Sequence, residues 1–371
     1  MMIRCISMMI DRLREYVAHE TPTGDAQALN AFADRLLDRY AELGGTARRV
    51  AAPTGDHVVA DFPGRGPLAA EAPLLFIGHH DTVWPIGQLR DVMPWREQDG
   101  LLHGPGVFDM KGGLVVLEAA LEQIADRDHR PVRVVVVADE EVGSPTAREL
   151  VAAESSGVVA AFGFESPLPN GDLKTARRGS SRVRIEVTGR EAHAALDPGR
   201  GVSAIDELID QLIAVRALVA SYADVLCNVG TITGGGRTNV VPGAAAADVG
   251  FRFIDPETER AVLDAVTGLE PIRPDAQLQV SVMSNRPAWQ PSAATDALLH
   301  KVQAAAQSVG QEIGGAPASG AADTNLTGWL GIPTLDGLGP RGKGAHAVHE
   351  QVIAASLAER ADLVAAIIMT I

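Results

Sequence analysis

The chain has 371 residues, of which 46% are hydrophobic, and a formal net charge of −15. That length supports one large core or two moderate ones, and an acidic balance with no long Lys/Arg run argues against nucleic acid or an anionic membrane as the partner. Cys5 and Cys227 are too few and too far apart for a disulfide framework or a Cys-based zinc site, which fits a reducing, cytoplasmic compartment.

The first ten residues lack a signal-peptide core and no later apolar run reaches transmembrane length. An amphipathic helix is expected to begin near Met8 or Met9, either of which would serve as the true start. A second helix is expected over about 25–43, where Leu29, Phe32, Leu36, Leu37 and Tyr40 recur at spacings of three and four. Strands at 58–62 and up to Gly78, a helix over about 111–125, and strands at 132–138 and 158–164 then alternate as in a parallel sheet.

Near residue 175 the pattern changes, because Arg182-Val183-Arg184-Ile185-Glu186-Val187 alternates as a strand with one wet face does. A helix at about 202–221, strands near 225–233 and 244–254, a helix near 256–268 and a strand at 278–282 complete a β-α-β-β-α-β order, the ferredoxin-like plan. Helices at about 293–309 and 354–370, with a strand at 332–335, return the chain to the first sheet. The expected fold class is therefore α/β: a mostly parallel central sheet flanked by helices, formed by 1–174 and 287–371, with an inserted ferredoxin-like α+β domain at 175–286.

Ligand sites of open α/β sheets lie just outside the carboxyl ends of the strands, and two charged clusters fall there. His79-His80-Asp81 follows the apolar run 74–78. Alternation puts His79 and Asp81 on one face, making His79 the ligand candidate and Asp81 the residue that holds its tautomer. Asp139-Glu140-Glu141 follows the run 133–138, and Gly143 lets the chain turn so that both glutamates reach one pocket as base and ligand. Alone, this triplet also reads as a solvated acidic turn.

Asp109, in Gly104-Pro105-Gly106-Val107-Phe108-Asp109, reads either as the N-cap of the next helix or as a ligand approached closely by glycine backbone. Glu165 ends another strand at the same sheet edge. The glycine-rich stretch 337–344 delivers His346, with His349 in competition, whereas His103, His129 and His300 are expected to be solvated.

Three motifs, His79-His80-Asp81-Thr82-Val83, Gly106-Val107-Phe108-Asp109-Met110-Lys111-Gly112-Gly113 and Asp139-Glu140-Glu141-Val142-Gly143-Ser144, resemble those of the di-zinc aminoacylase and glutamate carboxypeptidase family. That family includes acetylornithine deacetylase and succinyl-diaminopimelate desuccinylase, and the glutamate carboxypeptidase branch looks nearest. Gly189-Arg190-Glu191-Ala192-His193-Ala194, Asn239-Val240-Val241-Pro242 and the stretch 339–346 match three further signatures, so the likeness covers nearly the whole chain.

The resemblance implies two Zn2+ ions per subunit, replaceable by Co2+ or Mn2+. Asp109 would bridge them, with His79 and Glu165 completing one site and Glu141 and His346 the other. It implies Glu140 as general base, His193 as a carbonyl donor reaching the active site of the partner in a homodimer, and the inserted domain as a dimerisation or lid element. Asn239 and Arg252 would hold the substrate carbonyl and carboxylate. Arg178 would meet an acidic side chain, and Gly320 and Asp323 belong to a turn that holds an anion. Where relatives that release glutamate carry a basic residue just before this turn, Ala316-Pro317-Ala318 stands here.

The implied substrate is a small N-acyl amino acid or short peptide cut beside a free carboxylate, by a carboxypeptidase or by a deacylase, deacetylase or desuccinylase. A catalytically silent relative would lack a ligand or the base, and none is lacking. A serine hydrolase is disfavoured because there is no Gly-x-Ser-x-Gly elbow and no histidine and acid follow Ser144 or Ser180 in a convincing triad order. Gly64-Arg65-Gly66-Pro67 reads as a turn, not a dinucleotide loop.

Overall fold

The computed structural model describes residues 2–371, with side chains from Ile6 onward, so the Cys5 side chain lies outside the described residues. Two compact units form, one from Met1–Ala176 with Pro291–Ile371 and the other from Arg177–Gln290.

In the first unit, helices α1 (Met2–Ala18) and α2 (Ala26–Glu42) precede strands β1 (Thr46–Val50), β2 (His57–Phe62) and β3 (Leu74–His79). Next come the short strand β4 (Leu101–His103), helix α3 (Gly112–Ile124), strand β5 (Val132–Val137), helix α4 (Arg148–Glu154) and strand β6 (Ala160–Gly163). The first helix begins before the expected start near residue 9. The Asp25 side chain caps α2 by accepting from the Ala28 amide at 3.1 Å.

The second unit contains strand β7 (Gly179–Thr188), helix α5 (Ala204–Val219), strands β8 (Leu226–Gly234) and β9 (Ala244–Phe253), helix α6 (Pro256–Thr267) and strand β10 (Gln277–Arg286). The chain then returns to the first unit with helices α7 (Ala293–Ser308) and α8 (Thr324–Trp329), strands β11 (Thr334–Leu335) and β12 (Gln351–Ile353), and helix α9 (Ala354–Thr370).

The main sheet of the first unit has the order β1-β2-β5-β3-β6-β11. Four strands run parallel, and β1 and β2 join antiparallel at one edge. Apart from the edge strand β1, its strands read as largely apolar runs because both faces are covered. Leu74, Phe76, Val132, Val134 and Val136 enter the larger core with α1, α2, α3, α7 and α9, whereas Leu75, Ile77, Val135 and Val137 enter a smaller one with α4 and Leu326. Since the strands inside the edge strand β1 are packed on both sides, their ends are held firmly.

In the second unit, β8-β9-β7-β10 form an antiparallel sheet in the ferredoxin-like order. Val183, Ile185 and Val187 face α5 and α6, while Arg184 pairs with Glu186 and Asp248 across the other face at 3.1 Å. Alternation in β7 thus encodes a sheet covered on one side.

Candidate metal centre

Six of the predicted residues come together at the carboxyl edge of the main sheet. His79 is the last residue of β3. Its Nδ1 donates to the Asp81 carbonyl oxygen at 3.0 Å, and since a carbonyl can only accept, the proton sits on Nδ1. Nε2 therefore turns its lone pair toward two carboxylates, Asp109 Oδ1 at 3.1 Å and Glu165 Oε1 at 3.6 Å. His346 repeats the arrangement, with Nε2 at 3.2 Å from Asp109 Oδ2 and 2.9 Å from Glu141 Oε2.

Asp109 thus divides its oxygens between two histidines, each backed by a further carboxylate. Nitrogen lone pairs and anions facing one another need positive charge between them. Hydrogen bonds to Asp109 and Glu141 raise the His346 imidazole to about 10. For His79, burial opposes charge, yet bonds to Asp109 and Asp81 lift it well above its ordinary value. Divalent cations would do the same work with fewer groups, and the donor set of imidazole nitrogens and carboxylate oxygens suits zinc. Glu141 Oε1 is moreover buried with no hydrogen-bond partner among the described residues. His79 lies within 4.8 Å of Asp109 and Glu141 in one group and of Glu140 and Glu165 in another, ligand atom to ligand atom. The residues present fit a metal centre.

The N-cap reading of Asp109 is not what forms. Its backbone is extended (φ −124°, ψ 93°), its side chain makes no capping bond, and α3 begins only at Gly112 with Lys111 at the cap position. The glycines around it serve close packing. A Cβ on Gly113 would stand 2.3 Å from the Phe164 carbonyl oxygen, and one on Gly339 2.7 Å from that of Glu165. These contacts press α3 and the C-terminal loop against the strand end that carries Glu165.

Beyond β5 the chain turns through Glu140–Val142, and Gly143 takes the left-handed conformation at φ 97°. The two glutamates therefore leave the strand before alternation would separate them. Asp81 holds this turn, because Oδ1 accepts from the Glu140 amide at 3.1 Å and Oδ2 from the Glu141 amide at 3.2 Å and the Thr23 hydroxyl at 2.8 Å. Burial works against its charge, but the His79 contact and these donors keep its carboxyl below its ordinary value.

His80 points away, stacks on Phe32 and places Nε2 3.1 Å from the Asp56 carbonyl oxygen. Burial drives it down to about 4, so it is neutral. His129 corrects an expectation. It is buried, not solvated, with its backbone paired to Arg65 and Nδ1 2.8 Å from the Arg130 carbonyl.

Asp323 is buried and its carboxylate accepts from the Ser144 hydroxyl, tying α8 to the loop that carries Glu140 and Glu141. Gly320 is exposed in the preceding turn.

In the second unit, Ala192-His193 pairs with Val240-Val241, and the Ala194 amide donates to the Asn239 carbonyl at 3.0 Å. His193 is exposed, and its Nδ1 accepts from the amides of Ala195 at 3.2 Å and Leu196 at 3.1 Å. The Nε2–H is therefore the outward donor. Arg178 donates to the Asp224 carbonyl at 2.9 Å. Arg252 and Arg286 both pair with Ser180 from opposite sides, which sets two guanidinium residues on one rung of the sheet. Burial and the charge of Arg286 lower the Arg252 guanidinium from its ordinary value. Arg286 was not identified from the sequence, since only the register puts it beside Ser180.

Comparison with known proteins gives the family. The model for Peptidase family M20/M25/M40 matches residues 75–370. The chain belongs to this family. Carboxypeptidase G2 of Pseudomonas sp. strain RS-16 is 28% identical over 349 residues, covering 91% of this chain and 83% of that protein. Succinyl-diaminopimelate desuccinylase of Gluconacetobacter diazotrophicus is 29% identical over 282 residues, covering 66% and 71%. A solved M20 family metallo-carboxypeptidase from Sulfolobus solfataricus superposes with a TM-score of 0.74 at 16% identity over 98% of each chain, a likeness of fold. Family membership makes the chain a hydrolase of a metal-dependent peptidase group. Among the described residues no helix is long and apolar enough to cross a membrane.

Proposed function

We propose that the chain is a two-zinc amidohydrolase that cleaves a peptide or N-acyl amide bond beside a free carboxylate. The division of Asp109 between His79 and His346 carries this reading. Asp109 would be shared by the two ions, with His79 and Glu165 on one and Glu141 and His346 on the other. When bound, such ions lower the pKa of water and polarise an amide carbonyl.

Glu140 is 7% exposed, lies in the His79 and Glu165 group, and has its backbone fixed by Asp81. Its carboxylate would take the proton of the attacking water and hand it to the departing amine. Asp81 keeps His79 in the Nδ1–H tautomer. His193 would donate its Nε2–H to the carbonyl oxygen. Asn239 would bind near it, and Arg252, with Arg286 beside it, would hold the substrate carboxylate by paired guanidinium hydrogen bonds. Arg178 and Gly320 would meet other acidic parts of the substrate, and Asp323 would support the Glu140 turn through Ser144.

A homodimer is proposed as the working form. Strand β8 is an edge of its sheet, and Leu226 and Ile232 on it are 59% and 63% exposed, as Ile209 and Ile213 on α5 are at 49% and 61%. Unpaired strand edges flanked by apolar side chains are ready-made pairing surfaces.

The relative that spans 91% of the chain supports a carboxypeptidase as the first reading, and the desuccinylase relative a deacylase as the second. Zinc-loaded protein should be incubated with a mixed panel of N-acyl amino acids and dipeptides, with products read by mass spectrometry, alongside Glu140→Gln. Amide cleavage lost in the variant at unchanged zinc content is expected. Full activity of Glu140→Gln would overturn the mechanism.

A further inference from the structure

Glu350 stands outside the ligand motifs, yet its carboxylate is 1% exposed and takes four hydrogen bonds. Oε1 accepts from the amides of Phe108 at 2.8 Å and Asp109 at 3.1 Å, and Oε2 from the Gly106 amide at 3.0 Å and Trp84 Nε1 at 2.8 Å. Strand register brings this about. Gln351 in β12 pairs with His103 in β4, so Glu350, just before β12, meets the chain just after β4.

Each segment bonded there adjoins the metal cluster. Asp109 is itself a proposed ligand, and Trp84 follows Asp81 by three residues. His346 lies four residues before Glu350 in a segment turned by bonds from Ala347 to Gly344 and from Glu350 to Ala347, both 2.9 Å. The extended backbone of Asp109 interrupts the helical stretch 107–111, so regular helix bonding does not set its direction. A fixed anion receiving its amide does.

We propose that Glu350 is a positioning residue that sets the backbone of Asp109, and so the division of its two oxygens between His79 and His346. The proposal rests on the reading of Asp109 as a shared metal ligand. Glutamine at 350 would turn an N–H2 group toward donors that can only give hydrogen bonds, so it conserves shape while breaking at least one pair.

The test measures zinc dissociation constants by competition with a chromophoric chelator, and Tm of the metal-free protein, for wild type, Glu350→Gln, Trp84→Phe, Asp109→Ala and Glu118→Gln. Glu118 is a comparably buried carboxylate held by Tyr16 and Arg39, away from the ligands. Glu350→Gln is expected to weaken zinc binding about 10- to 100-fold, while Glu118→Gln lowers Tm and leaves zinc affinity unchanged. Wild-type zinc affinity in folded Glu350→Gln, or an equal loss of affinity in Glu118→Gln, would overturn the proposal.

Should Glu350→Gln fail to fold, Trp84→Phe decides, because it removes one donor. An affinity about three- to tenfold weaker is expected, and no change overturns the positioning role. Asp109→Ala separates the two ideas. Undiminished zinc binding there would refute the metal reading itself, whereas loss there with retention in Glu350→Gln would refute only the positioning role.

Discussion

Replacing Asp81 by asparagine tests how the turn at Glu140 and Glu141 is held. The carboxylate accepts from two backbone amides and the Thr23 hydroxyl, at 3.1, 3.2 and 2.8 Å. An asparagine has one acceptor oxygen, so at best it keeps the pair on Oδ2 and presents N–H2 to the Glu140 amide. A hydrogen bond to a charged group contributes about 1.5–3 kcal/mol, and about 1.4 kcal/mol is tenfold, so kcat/KM should fall roughly 10- to 100-fold. Because the misplaced amide belongs to Glu140, kcat should carry most of the loss. The assay is steady-state hydrolysis of the best substrate from the panel, with zinc content measured on the same samples. An Asp81→Asn enzyme within twofold of wild type at full zinc content would refute this account of the turn.

Three further outcomes are expected. Burial raises the Glu118 carboxyl to about 7 against its bonds from Tyr16 and Arg39, so the folded chain keeps a proton there that the unfolded chain loses near pH 4.5. Its contribution to stability should therefore fall as pH rises from 4.5 to 7, by up to about 3 kcal/mol. Urea unfolding of wild type and Glu118→Gln across that range should show a difference that shrinks in this direction; a flat difference would contradict it. Ile213→Lys, at an exposed site on α5, should shift the protein toward monomer in analytical ultracentrifugation, and an unchanged dimer would place the interface elsewhere. His193→Ala should lower kcat at unchanged zinc content, whereas a pure loss of zinc would remove it from the carbonyl-donor role.

The cluster at the sheet edge was legible because histidines and carboxylates are residue types that buried strand ends rarely carry together. His79 closes an apolar run buried on both faces, and Gly143 announces the turn that keeps Glu140 and Glu141 on one side. The ferredoxin-like order was legible from alternation, with Val183, Ile185 and Val187 inward. Strand β1 was not, since its residues sit half-exposed at the sheet edge without a clean apolar alternation. Asp109 looked like a cap because helix and aspartate signals coincide there; the extended backbone that separates it from α3 depends on tertiary contacts. Glu350 had no signal, for its partners are mostly backbone amides, which every sequence has. Arg286 and His129 were hidden for a related reason, as strand register or a backbone bridge decides their surroundings.

The central claim is that Asp109 lies between two metal ions. Anomalous diffraction from zinc-loaded crystals at the zinc edge tests it most directly. Two peaks are predicted about 3.5–4 Å apart on either side of the Asp109 carboxylate, one beside His79 and Glu165 and one beside Glu141 and His346. A lone peak, or peaks away from Asp109, would contradict it.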